Sequence, residues 1–131
     1  MQKKEGFFMY EIKLKRAYDN AEREDGYRVL VDRLWPRGIK KEDLHYDAWE
    51  KDIAPSSKIR KEFGHEKEKY NDFRKNYLHE LAESDQADDF VEKVKEELQK
   101  NNVTLLYGAK DRENNQAVVL KEWLGRHKLE E

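Results

Sequence analysis

The chain contains no cysteine. That excludes disulfides, thiolate metal sites and cysteine nucleophiles. Proline is scarce, with two residues, and the six glycines never cluster into a phosphate-cradling loop of the P-loop or dinucleotide type. Kinase, GTPase and classical NAD-binding readings therefore lose their main support. The longest apolar runs are a few residues, far short of the roughly 20 needed to cross a bilayer. Met1-Gln2-Lys3-Lys4-Glu5-Gly6-Phe7-Phe8-Met9 is too short and too charged for an export signal, so a cytoplasmic location is expected, with residues 1–9 as a flexible segment. Four histidines (His45, His65, His79 and His127) stand at no metal-ligand spacing, so neither a metal site nor a cofactor is expected. The net charge of −2 lacks the strong basic bias of a duplex-binding protein, although a local patch for one small anion fits it.

What is present is a charged, aromatic-rich chain of single-domain length, read as one domain over 1–131. Charged residues make up 43% and hydrophobic ones 37%, a balance that three Trp, seven Tyr and five Phe at regular spacings turn away from disorder. The charge is uneven: residues 51–82 carry eight Lys/Arg against six Asp/Glu, whereas residues 83–102 carry three against seven.

Tyr10 to Tyr18 alternates apolar and polar residues, which predicts a half-buried strand. Asp25-Gly26 is a turn signal, and Val29-Leu30-Val31 reads as a strand covered on both faces. Trp35-Pro36 must leave that strand, because proline removes a ladder donor. Residues 39–54 match neither period cleanly and read as irregular chain or a short helix. Pro55-Ser56 opens a helix that Gly64 stops, with Ser56 as its cap. Tyr70, Phe73, Tyr77 and Leu81 predict an amphipathic helix, and Ala87, Phe90, Val91, Val94 and Leu98 a second. Val103 to Tyr107 is a third, wholly apolar strand. A last helix begins near Asn114. Buried strands joined by helices imply a small α/β, three-layer, Rossmann-like domain: a mainly parallel sheet of three to four strands flanked by helices.

In such sheets ligands bind beyond the carboxyl ends of the strands. That rule selects Asp32-Arg33-Leu34-Trp35-Pro36-Arg37-Gly38 and Lys110-Asp111-Arg112-Glu113-Asn114-Asn115-Gln116. Arg33, Arg37 and Lys110 would neutralise an anion, and Asp32 or Asp111 would move a proton if a reaction occurs. Lys51 and Arg60 flank the Ser56 helix start, within reach of an anion held there, and are further anion ligands. His65, at a helix junction, is a candidate contact and proton carrier. The same charges equally suit a closed network in which Asp32 and Arg33 pair with Lys110 and Asp111 and lock the strand ends. Two function classes follow. One is a pocket for a small anion such as a nucleotide or phosphate ester, with or without acid/base chemistry. The other is a non-enzymatic adaptor or single-strand nucleic-acid binder using Arg33, Arg37 and the basic residues of 58–75.

The runs Gly26-Tyr27-Arg28-Val29-Leu30-Val31-Asp32-Arg33-Leu34-Trp35-Pro36-Arg37-Gly38 and Trp49-Glu50-Lys51-Asp52-Ile53-Ala54-Pro55-Ser56 resemble the YeaO-like branch of the domain of unknown function family number 488. Phe63-Gly64-His65, the Phe73 to Tyr77 helix and Leu105-Leu106-Tyr107-Gly108-Ala109-Lys110-Asp111 extend the resemblance across about Ile12 to Leu124. It implies a compact α/β fold and no settled activity. Relatives often show His-Asn-His-Ala near the last helix, where this chain has Asn114-Asn115-Gln116-Ala117. Both imidazoles are gone, and with them any shared mechanism that needs a base or metal ligand there. Asn115 persists and is the better candidate for a direct ligand contact. Methyltransferase and transcription-regulator labels attached to some members find no adenosylmethionine loop and no basic recognition helix here.

Overall fold

The computed structural model describes residues 9–128. The segment expected to be flexible, 1–9, lies outside these apart from Met9. Four parallel strands form one sheet: β1 (Ile12–Arg16), β2 (Tyr27–Leu30), β3 (Ala48–Trp49) and β4 (Val103–Tyr107), in the spatial order β1-β4-β2-β3. Strand β4 is central, with Ile12 opposite Val103 on one side and Tyr27 opposite Val103 on the other. Every residue of β4 is buried, as its unbroken apolar run predicts. The fourth strand, invisible in the sequence, is β3. It has two residues, too few to show an alternation, and borrows its place from β2 through Val29–Ala48 and Leu30–Trp49.

Four helices flank the sheet: α1 (Ser57–Phe63), α2 (Tyr70–Ala82), α3 (Asp85–Glu97) and α4 (Gln116–Lys128). The domain is therefore α/β and Rossmann-like. Ser56 caps α1 by accepting from the Ile59 amide, and Gly64 ends it in the left-handed conformation at φ 54°. Phe63, Phe73, Tyr77, Leu81, Phe90, Leu120 and Trp123 join Val29, Val31, Leu105 and Tyr107 in the main core, so the helical layer covers the odd-numbered residues of β2 and β4.

The even-numbered side meets a loop. Leu30, Leu106 and Ala17 pack with Leu44, and Trp35, Ile39, Tyr46 and Trp49 close over them. Trp35 sits edge-on to Tyr46 and Trp49, with ring centroids 5.4 and 5.5 Å apart. This aromatic loop is the third layer. Beside it lies a polar patch. Buried Asp25 accepts from Lys15 at 3.1 Å and from Arg28, and Thr104 donates to its carbonyl at 2.7 Å. A buried charge is tolerated when its partners are in place, and here they are.

The strand starts are stapled by Asn102. Its Oδ1 accepts from the Glu11 amide, and its Nδ2 donates to the Glu24 carbonyl. Gly26 adopts φ 66° there, and a Cβ on it would stand 2.2 Å from the Asn102 carbonyl oxygen. Only glycine fits. Among the described residues, no helix is long and apolar enough to cross a membrane.

Candidate functional site

The two strand-exit segments meet. The Gly108 amide donates to Asp32 Oδ2 at 2.8 Å, and the Gln116 side chain donates to Asp32 Oδ1. The approach at Gly108 is close, since a Cβ there would lie 3.1 Å from Asp32 Oδ2. The Trp49 indole donates to the Asp32 carbonyl at 2.7 Å, which fixes the backbone as it leaves β2. The expected lock between strand ends therefore exists. It is made by amides, however, and none of the four charges Asp32, Arg33, Lys110 and Asp111 pairs with another among the described residues.

Around this junction opens a cleft of about 800 Å³. Asp32, Arg33, Arg37, His65, Lys110, Asp111 and Asn115 all border it. Lys51 does not. It is exposed, and its ammonium stands 4.8 Å from the centroid of the Trp49 ring. Two further cations border the cleft from α1, Arg60 and Lys61, giving five Lys/Arg against two carboxylates. The short α1 helix that carries them starts just after the Ala54 and Pro55 carbonyls, which the Arg33 guanidinium holds against the β2 exit. The sequence places Arg60 within reach of an anion at the Ser56 helix start, and the structure puts it at the cleft; Lys61 carried no such hint. Gln116 closes the second strand-exit segment, whereas Tyr18 carried no hint either.

Each site residue has a distinct local job. The Arg33 guanidinium is committed to the chain: Nη2 donates to the Ala54 carbonyl at 3.0 Å and Nε to that of Pro55 at 3.2 Å. Asp111 accepts from the Glu113 and Asn114 amides and from the Asn114 side chain, all at 2.9–3.0 Å. Buried Asn115 donates to the Asp111 carbonyl at 2.8 Å and accepts from the Val118 amide at 3.1 Å, capping α4. Tyr70 on α2 donates to the Asn115 carbonyl at 3.0 Å. His65 is exposed at φ 61°, the left-handed region that rarely takes a side chain. Arg37, Lys61 and Lys110 are exposed and form no ion pair among the described residues.

The two carboxylates differ sharply in proton affinity. Burial pushes the Asp32 carboxyl up to about 6, against the opposing pull of the Gly108 amide and the Arg60 charge. Hydrogen bonds from the Asn114 side chain, then from the Glu113 and Asn114 amides, hold Asp111 down at about 2. Asp32 is thus the carboxylate that can change protonation near neutral pH, and Asp111 is a fixed negative charge. Among the described residues, no three His, Asp or Glu side chains converge to hold a metal ion.

The Asp32–Gln116 and Asp111–Asn114 pairs fall at the two positions where the resembled pattern has imidazoles. An amide can hold the carboxylate in the same place but cannot accept or pass on a proton at neutral pH. A family model described as the inactive DUF488-N3 subclade matches residues 11–131. The uncharacterised YeaO protein of Escherichia coli (strain K12) is 50% identical over 113 residues, covering 86% of this chain and 96% of that protein. The uncharacterised Rv3073c protein of Mycobacterium tuberculosis (strain H37Rv) is 41% identical over 73 residues, 56% of this chain and 62% of that one. No solved structure matches. The chain is a YeaO-like member of the DUF488 family, in its inactive N3 subclade.

Proposed function

We propose that the strand-end cleft binds a small anionic ligand, such as a nucleotide or phosphate ester, without turning it over. The observation that carries this reading is the set of exposed cations, Arg37, Lys61 and Lys110, which border one cleft and find no carboxylate partner among the described residues. Cations held around a concave site without internal partners attract anions, and the surrounding low-dielectric walls strengthen that field. Absence of turnover accords with the amides beside both carboxylates and with the description of the family as inactive. If the cleft performs acid/base chemistry, Asp32 is the group that carries the proton.

Thermal-shift measurements against nucleotides, sugar phosphates, polyphosphates and short oligonucleotides test the proposal. Arg37→Glu and Lys110→Glu are the informative variants, because Arg33 holds the 54–55 backbone and its loss would confound binding with folding. A ligand at a hundredfold excess over its Kd adds roughly 2.7 kcal/mol to the wild type. Either charge reversal abolishes that gain if the cleft is the site. Stabilisation by oligonucleotides alone, falling steeply with salt, would instead support the single-strand or adaptor reading. No shift with any anion would sink the pocket.

A further inference from the structure

The cleft has two kinds of surface, and only one of them is charged. Phe63 and Phe73, stacked with centroids 4.6 Å apart, form part of its wall, and Pro36 and Pro55 form more of it. At the rim, Leu34 is 64% exposed and Tyr18 44% exposed, although both are large apolar residues. The Tyr18 hydroxyl donates to the Arg37 carbonyl at 2.7 Å, and the Arg16 guanidinium covers its ring at 4.6 Å, so the rim is held in shape. An inorganic anion uses none of this surface.

Arg60 supplies the second observation. Its Nε is buried without a hydrogen-bond partner. The contrast with Arg33 is direct, since both arginines border the cleft but Arg33 has two carbonyl partners. Asp32 feels the Arg60 charge without bonding to it. A buried donor without a partner is rare in folded proteins and calls for something to complete it. A planar guanidinium suits two oxygens of one carboxylate or phosphate.

Resting on the anion-site reading above, we propose that the ligand is an amphipathic anion. Its single phosphate or carboxylate group is anchored by Arg60, and its aromatic or otherwise apolar body lies against Phe63, Phe73 and Leu34. Arg37, Lys61 and Lys110 steer the anion inward from the rim, and the Arg60 guanidinium sets its depth. The site therefore discriminates by the body of the ligand, and compact, highly charged anions such as polyphosphate bind through the rim alone.

Calorimetric titration with inorganic phosphate, phenyl phosphate and benzyl alcohol tests the proposal on the full chain. Phenyl phosphate is expected to bind at least about tenfold more tightly than phosphate, the order expected for burying one ring. Benzyl alcohol, which lacks the charge, gives no measurable heat. Arg60→Gln weakens phenyl phosphate about tenfold or more at an unchanged melting temperature. Leu34→Ser, at an exposed position, shrinks the advantage of phenyl phosphate over phosphate, whereas exposed Lys58→Gln, away from the cleft, changes neither. Equal affinity for phosphate and phenyl phosphate overturns the amphipathic ligand and leaves the anion site standing. Unchanged affinity in Arg60→Gln, or a fall in its melting temperature, overturns Arg60 as a free anchor. If no anion binds the wild type at all, the anion-site reading fails and this inference falls with it.

Discussion

Asp32 is held where its charge is costly. Its carboxyl ordinarily titrates near 3.8, and burial raises it to about 6 in the folded chain. The folded state therefore binds a proton more tightly than the unfolded one, so stability from this group is fully present below about pH 4 and is lost as pH rises through about 6. A rise of that size corresponds to about 2–3 kcal/mol. Asp32→Asn keeps an acceptor for the Gly108 amide, and the Gln116 amide can turn to present its oxygen to the new donor. The variant is expected to be more stable than wild type at pH 7.5 by up to that amount, with the gap closing toward pH 4. Chemical denaturation at both pH values reads it directly. A variant less stable at pH 7.5 would mean that the carboxylate is a structural asset. A stability penalty at a cleft residue is what a retained binding site produces.

At the scale of elements, the exit loop after β4 is built from side chains that bond to their own backbone. Asn115 serves the end of the loop and the first turn of α4 together. Asn115→Ala removes the cap and leaves the Val118 amide without its partner, so urea denaturation should show a loss of about 1–2 kcal/mol. A neutral result would show that water replaces the cap without cost. The sequence suggests that Asn115 meets a ligand. Its character as a cap could not be read, because a helix start offers the same asparagine signature whether the side chain faces inward or outward. The periodic elements were legible for a plain reason. Burial on one stripe leaves a trace every three or four residues in α2 and α3, and burial on both faces leaves an unbroken run in β4. The parallel topology made the strand exits legible: Asp32, Arg33, Arg37, Lys110, Asp111 and Asn115 all border one cleft, whereas Arg112, Glu113 and Asn114 of the second exit do not. Arg60 was legible through its place one turn after the Ser56 cap, whereas Lys61 beside it has no pattern to stand out from. The two residues of β3 and the aromatic loop of 35–46 left no period at all, and long-range packing against Leu30 and Leu106 defines them.

For the whole molecule, the order β1-β4-β2-β3 governs how the chain comes together in time. The central strand is the last to be made. Every residue of β1 pairs across to β4, some 91 positions later, and β2 also faces β4 on the side away from the two-residue β3. A nascent chain that has emerged only as far as Asn102 possesses three helices and, for a sheet, only the short β2–β3 pairing, and the edges of β1 and β2 that β4 will fill stand open. Closing so large a loop defers the reward of pairing until late, which slows folding. A chain shortened after Asn102 is accordingly expected to lack a cooperative thermal transition while retaining some helical circular dichroism. A cooperative transition in that fragment would show that the helices form a stable unit without β4. On the ribosome, the exposed edges of β1 and β2 make the emergence of the residues after Asn102 the moment at which this protein is either completed or handed to a chaperone.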